Sequence, residues 1–307
     1  MTNAVEAVGL GKRYGRRWAL RDCTVDVPAG RVIGLVGANG AGKTTLIHLM
    51  VGLLRPSAGA VSVLAHAPGD SPSHLAEVGF LAQDAPVYAT LSVGDHLHLG
   101  RALNPGWDEA AARRRIEGLG YDLRQRAGHL SGGERAQLAL TLALAKHPDV
   151  LLLDEPVAGL DPLARREFLA GLMESVAEHQ LTVMLSSHLV SDIERVCDYL
   201  IVLAASRVQL TGDVQELLAA HHVLTGPRRD SPTLPADTEV IEASHTERQT
   251  TMVVRTTRPV VDPTWTVSDI GLEDLMLAYL GRAAQAARAA AGPGDSTGRL
   301  TTGPDAT

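Results

Sequence analysis

Gly37-Ala38-Asn39-Gly40-Ala41-Gly42-Lys43-Thr44 fits the phosphate-binding spacing G-x-x-x-x-G-K-[ST] at every fixed position. The spacing is a physical device. Small residues let the backbone wrap a di- or triphosphate with its N–H groups pointing inward. A helix that starts near Lys43 adds the positive end of its dipole. Lys43 then bridges the β- and γ-phosphates, and the Thr44 hydroxyl takes one position on Mg²⁺. Gly37, Asn39, Gly40, Ala41, Gly42 and Thr45 complete the expected cradle. The flanks agree: Arg31 to Val36 reads as a short buried strand and Thr45 to Met50 as a helix. Lysine occurs only at Lys12, Lys43 and Lys146, so an incidental lysine at the required place is a weak explanation.

A second element strengthens the first. Leu151-Leu152-Leu153-Asp154-Glu155 is an apolar strand ending in two carboxylates. Asp154 is placed to hold Mg²⁺, and Glu155 can polarise an attacking water as a general base. Alone, such a pair reads as a polar strand end. After a phosphate loop it predicts a Mg²⁺-dependent nucleoside triphosphatase.

The 307 residues carry a net charge of −7 and a pI of about 5.9, which argues against a nucleic-acid partner. Aromatic residues make up 3%, so the core is expected to be Ala, Val and Leu. Cys23 and Cys197 make no disulfide framework, and Cys197 reads as a small buried residue. The start of the chain shows no signal peptide, and no run nears roughly 18 uninterrupted apolar residues. The expectation is a cytoplasmic chain whose membrane role, if any, comes through a partner.

Along the chain, residues 1 to about 30 read as β-hairpin material, and Val61 to Leu64 as a strand. Leu75 to Ala82 is a strand candidate. Residues 91–127 turn helical, with Pro105-Gly106 as a break and Trp107 to Leu119 as a second helix. Further on, helices (134–146, 163–179, 189–197) alternate with strands (150–153, 181–186, 199–204), which implies a parallel sheet with crossovers. Three strand-like runs follow at 222–225, 240–243 and 250–255, with a linker from Gly226 to Thr238. An amphipathic helix is expected over Leu272 to Leu280. The Ala/Gly/Pro/Thr-rich end beyond Gly281 reads as disordered.

Leu130-Ser131-Gly132-Gly133-Glu134 precedes the second element. Ser131 fits a helix N-cap, and the glycines permit close backbone approach to a phosphate. With this run in place, residues 3–218 resemble the ATP-binding subunit of an ATP-binding-cassette (ABC) transporter, of the exporter type whose permease is a separate chain. The resemblance implies an α/β fold. It has the mixed sheet of an ABC-type phosphate-loop NTPase, an N-terminal antiparallel β subdomain and a helical subdomain at about 84–127. A small β-rich accessory domain over 219–281 and a disordered tail over 282–307 would follow.

Residue by residue, the resemblance implies that Tyr14 stacks on adenine. Gln83 reaches Mg²⁺ and the attacking water, and His188 contacts the γ-phosphate. Ser131, Gly132, Gly133 and Glu134 form the signature that meets ATP on the opposite subunit, and Asp161 couples the two sites. Glu134 stands where the family more often has Gln. ATP and Mg²⁺ are the implied cofactors. The implied partners are a transmembrane permease and a second ATP-binding subunit, identical or not, at the inner face of the membrane. The competing readings are a soluble ABC ATPase uncoupled from transport and a non-catalytic nucleotide sensor. Against the second stand the intact Lys43, Glu155 and His188.

Overall fold

The computed structural model describes residues 3–84, 87–228 and 234–291. Strand β1 (Asn3–Tyr14) turns through Gly15 into β2 (Arg17–Pro28), and β3 (Val32–Val36) leads through the glycine loop into α1 (Lys43–Val51). Next come β4 (Ala58–Val63), α2 (Pro72–Glu77) and β5 (Val78–Leu81), then α3 (Val93–Leu103), α4 (Glu109–Gly118) and α5 (Gly132–Leu144). The chain continues through β6 (Val150–Leu153), α6 (Pro162–His179), β7 (Thr182–Ser187), α7 (Val190–Val196), β8 (Tyr199–Ala204), β9 (Arg207–Asp213) and α8 (Val214–Ala220). It closes with β10 (His221–Pro227), β11 (Glu239–His245), β12 (Gln249–Arg255), β13 (Thr266–Asp269) and α9 (Leu272–Ala291).

The central sheet has the order β5-β6-β7-β3-β8-β9. All its pairings are parallel except β8 with β9. Its inner strands are apolar at nearly every position because both faces are covered. Val32, Val36, Leu151, Leu153, Val183, Leu185, Leu200 and Val202 face one core with α5, α6 and α7. Ile33, Leu35, Val150, Leu152, Met184, Ile201 and Leu203 face the other, against α1 and the antiparallel sheet β2-β1-β4. The helical subdomain has its own core, Val93, Leu97, Ala112 and Ile116 packing on Leu130, Leu138 and Ala145. Helix α5 belongs to both, since Ala136 and Leu140 turn to the sheet while Leu138 turns to the subdomain.

Three sequence expectations change. Leu75-Ala76-Glu77 is helix, not strand: Pro72 opens α2 behind an N-cap Ser71, whose hydroxyl accepts the His74 N–H. Only Val78–Leu81 joins the sheet. The expected linker begins late, since β10 continues through Pro227, and residues 229–233 lie outside the described residues. The accessory segment keeps a small core of its own, Leu224, Met252, Val254 and Trp265, and packs on the main core as well. Its sheet β11-β12-β10-β13 is antiparallel, and Leu272, Leu275, Met276 and Tyr279 of α9 enter the same core as β3 and β8.

The last change is at the chain's end. Residues 282–291, expected to be disordered, continue α9. The alanine content that reads as low complexity is also the best helix former, and Arg282 ties the helix to Glu239 at 2.5 Å and lies over the Tyr279 ring. The expected tail beyond residue 291 lies outside the described residues. Strands β9 and β13 and helices α2 and α8 had no counterpart in the sequence reading.

Candidate nucleotide-binding site

Strand β3 ends at Val36 and α1 begins at Lys43, so the glycine loop fills the gap between a buried strand and a helix N-terminus. Two glycines are required by geometry. A Cβ on Gly37 would sit 2.3 Å from the Leu203 carbonyl oxygen. Gly42 has φ +113°, and its Cβ would lie 2.6 Å from the Ala19 carbonyl oxygen. Gly42 is the N-cap of α1 and supplies no side-chain acceptor, and no acid occupies the first turn. Helices α3, α4, α5, α6 and α8 each have a side chain capping their first N–H groups. The first turn of α1 keeps its donors and its dipole for a ligand.

The Lys43 ammonium is buried, 5% exposed, and such a charge needs partners. It donates to the Gly37 carbonyl at 2.8 Å and lies 3.0 Å from Glu155 Oε1. The other carboxylate oxygen, Oε2, is 2.7 Å from His188 Nδ1. Burial pushes the Glu155 carboxyl up, but Lys43 and His188 outweigh it and hold it below the usual carboxylate range. Glu155 is therefore ionised at neutral pH. Its backbone adopts φ +46°, an uncommon conformation for a residue with a side chain.

A cleft of about 630 Å³ opens over this cluster. It is lined by Tyr14, Asn39, Gly40, Gly42, Lys43, Thr44, Thr45, Gln83, Glu155 and His188, all singled out in the sequence, and also by Arg17, Ala19 and Ala158. Gly37 and Ala41, also expected there, do not line the cleft. Asp154, 2% exposed, lies beneath it with its carboxylate bonded to Ser186. Among the described residues the Thr44 hydroxyl has no hydrogen-bond partner. Thr44, Gln83 and Asp154 offer only oxygen donors on this side, a set that fits Mg²⁺.

Ser131–Glu134 and Asp161 do not line this cleft. Ser131 caps α5 and Glu134 completes a reciprocal capping box, its carboxylate accepting the Ser131 N–H at 2.6 Å. The Glu at this position thus satisfies a helix donor. Asp161 caps α6, accepting from the Leu163 and Ala164 N–H groups. Two residues escaped the sequence reading. Arg17 stands in a run of arginines with nothing to set it apart. Ser186 precedes His188 by two positions, and only the paired strands reveal that it reaches the end of β6.

A parallel sheet carrying a glycine loop at one strand end and paired carboxylates at another defines a nucleoside triphosphatase. The comparisons narrow the class. A profile of the family described as ABC transporter matches residues 20–158. The lipopolysaccharide export system ATP-binding protein LptB of Acidithiobacillus ferridurans is 33% identical over 226 residues, 71% of this chain and 93% of that protein. The thiamine import ATP-binding protein ThiQ of Salmonella choleraesuis is 34% identical over 203 residues, 64% of this chain and 86% of that protein. Among solved structures, an ATP-binding subunit of an ABC transporter superposes with a TM-score of 0.63 at 29% identity, covering 71% of this chain and 92% of its own. The cbiO1 subunit of Clostridium perfringens, from the complex cbiONQ, gives 0.62 at 27% over the same shares. The chain belongs to the ABC transporter ATP-binding subunits, and it is an ATP-binding ATPase.

Proposed function

We propose that this chain is the energy-coupling ATPase of a membrane exporter whose channel is a separate transmembrane chain. No helix among the described residues is long and apolar enough to cross a membrane. The relatives include both an export and an import subunit, so their names do not choose a direction. The proposal of export rests on the C-terminal segment, which resembles the extension of exporter-type subunits.

The observation that carries the mechanism is the clamp on Glu155. While Lys43 and His188 hold it, the carboxylate is a weak base. A triphosphate in the cleft offers Lys43 a stronger anion. Lys43 then leaves Glu155, and the base regains its proton affinity beside the attacking water. His188, freed on the same side, turns its ring to the γ-phosphate. Tyr14 stacks on the base, and the α1 N-terminus and the loop N–H groups hold the phosphates. Thr44, Gln83 and Asp154 would hold Mg²⁺, which when bound offsets phosphate charge.

The signature residues do not line their own cleft, which supports a head-to-tail dimer, of identical or different cassettes, in which Ser131–Glu134 and Asp161 complete the partner's site. ATP binding closes that dimer and hydrolysis releases it. Glu155→Gln is expected to give an ATP–Mg²⁺-dependent dimer by light scattering, and a monomer at saturating ATP–Mg²⁺ counts against it. Purification of the chain from gently solubilised membranes should recover a multi-span protein. Recovery of soluble partners alone would remove the transport reading and leave the ATPase.

A further inference from the structure

Ser186 is wholly buried at the end of β7, and its hydroxyl sits between the two acidic residues that end β6. Its Oγ lies 2.8 Å from Asp154 Oδ1 and 2.8 Å from the Glu155 backbone nitrogen. A serine hydroxyl carries one proton. The Glu155 N–H can only donate, so Oγ accepts there and gives its own proton to Asp154. Both bonds have a fixed direction, and the hydroxyl cannot rotate without breaking one.

Each bond holds something the site needs. Glu155 has its backbone at φ +46°, a conformation that persists only where the surroundings impose it. Its N–H is fixed by Ser186, and its carboxylate is held by His188, 2.7 Å away on the same stretch of chain. One strand end thus grips Glu155 at both ends of the residue. For Asp154, Ser186 is the one side-chain partner of the carboxylate among the described residues. It occupies Oδ1 and sets the rotamer, which decides where Oδ2 points.

We propose that Ser186 is a positioning residue for ATP hydrolysis, orienting the metal-binding carboxylate of Asp154 and the base Glu155 through one hydroxyl. The inference rests on the roles given to those two residues under the proposed function. A valine or alanine here could fill the space and keep the strand, but neither could make the bonds. The chemistry asks for a hydroxyl, and volume alone does not supply it.

The test compares Ser186→Ala and Ser186→Thr with Glu155→Gln as the reference for the site. Steady-state turnover is measured together with binding of a fluorescent ATP analogue in Mg²⁺ and in EDTA. Loss of a partner that orients a metal-binding group costs about 10–100-fold in affinity or activity. Ser186→Ala is therefore expected to lower kcat by about tenfold or more, with KM within about twofold. It should also lose most of the Mg²⁺-dependent gain in nucleotide affinity while keeping its affinity in EDTA, a readout that a packing defect would not separate. Ser186→Thr restores the hydroxyl and should recover most of both. If Ser186→Ala does not fold, Ser186→Cys, of similar volume and much weaker hydrogen bonding, takes its place with the same expectation. Wild-type turnover and Mg²⁺ gain in the alanine variant would overturn the inference, as would equal damage by alanine and threonine. Full turnover in Glu155→Gln would instead overturn the reading of the site, and an inactive Glu155→Gln beside an unaffected Ser186→Ala would sink the inference alone.

Discussion

Replacing Lys43 by Met in the nucleotide-free protein should destabilise it, and the structure sets the size. The Lys43–Glu155 separation is 3.0 Å with side chains 5% and 11% exposed. At an effective dielectric of about 20, that spacing gives roughly 5 kcal/mol of attraction. Desolvation cancels much of this in the intact pair, but a single substitution exposes the imbalance: an unpaired buried charge costs about 3–5 kcal/mol. Glu155 still keeps His188 at 2.7 Å, so the expected loss is nearer 2–4 kcal/mol. At about 2 °C per kcal/mol for a chain of this length, the apparent Tm should fall by roughly 4–8 °C.

The assay is a double-mutant cycle of Lys43→Met and Glu155→Gln by thermal melting in EDTA without nucleotide. The double variant should recover part of the loss, with a coupling above about 1 kcal/mol. The pH dependence has a definite sign. Lys43 and His188 depress the folded-state value of Glu155 against the opposing pull of burial. Its contribution is present above the unfolded value, about 4.3, and lost as pH falls through the lower folded value. The gap between wild type and Lys43→Met should thus close in acid and not in base. Additive single effects, with a coupling below about 0.5 kcal/mol, would refute the clamp and with it the proposed release of Glu155 by phosphate.

Gly42→Ala forces a side chain onto a residue at φ +113° facing the Ala19 carbonyl, so it should cost at least about 1–2 kcal/mol and abolish ATP binding by calorimetry. Tyr279→Phe removes the hydroxyl that meets buried His221 Nε2 at 2.9 Å and should lower stability by about 1–2 kcal/mol without changing kcat. Burial pushes the Cys197 thiol far above its ordinary range. Cys197 is nevertheless only partly buried, not the fully buried residue expected, so its alkylation at pH 8 should run far slower in the native protein than after unfolding, and equal rates would refute the raised value.

The parts legible in the sequence were those where local chemistry and global fold agree. The strand before Gly37 and the strand before Asp154 are apolar on both faces, a signal that only a covered parallel sheet explains. The glycine loop declared its own φ requirements. What stayed hidden was set by distant contacts. Leu75-Ala76-Glu77 is apolar enough for a strand, and the Ser71–Pro72 start decided otherwise. Ser186 is one of two adjacent serines, and its meaning comes from the pairing of β6 with β7, which places Leu153 opposite Leu185. Arg17 is one arginine among four near the hairpin turn, and only the cleft wall distinguishes it.

The C-terminal segment carries the same lesson into the energetics. Read from its sequence, it is a small β-rich accessory domain whose first two strands are separated by a linker. In the structure α9 lays Leu275, Met276 and Tyr279 against the core that also contains Leu200 and Val202 of the catalytic sheet. Buried His221, where α8 passes into β10, bonds Leu217 on one side and Tyr279 on the other. The strand β8 that α9 covers pairs with β3, which ends at the phosphate loop. Anything that pulls on the C-terminal sheet therefore acts on the face of the central sheet opposite α1, and reaches the phosphate loop through the paired strands β8 and β3, with α8 filling the chain between Asp213 and His221. Under the proposed ATP-driven closure, a C-terminal segment packed on the core would move with the catalytic sheet, and a ligand or protein bound to that segment would bias the same equilibrium that ATP biases.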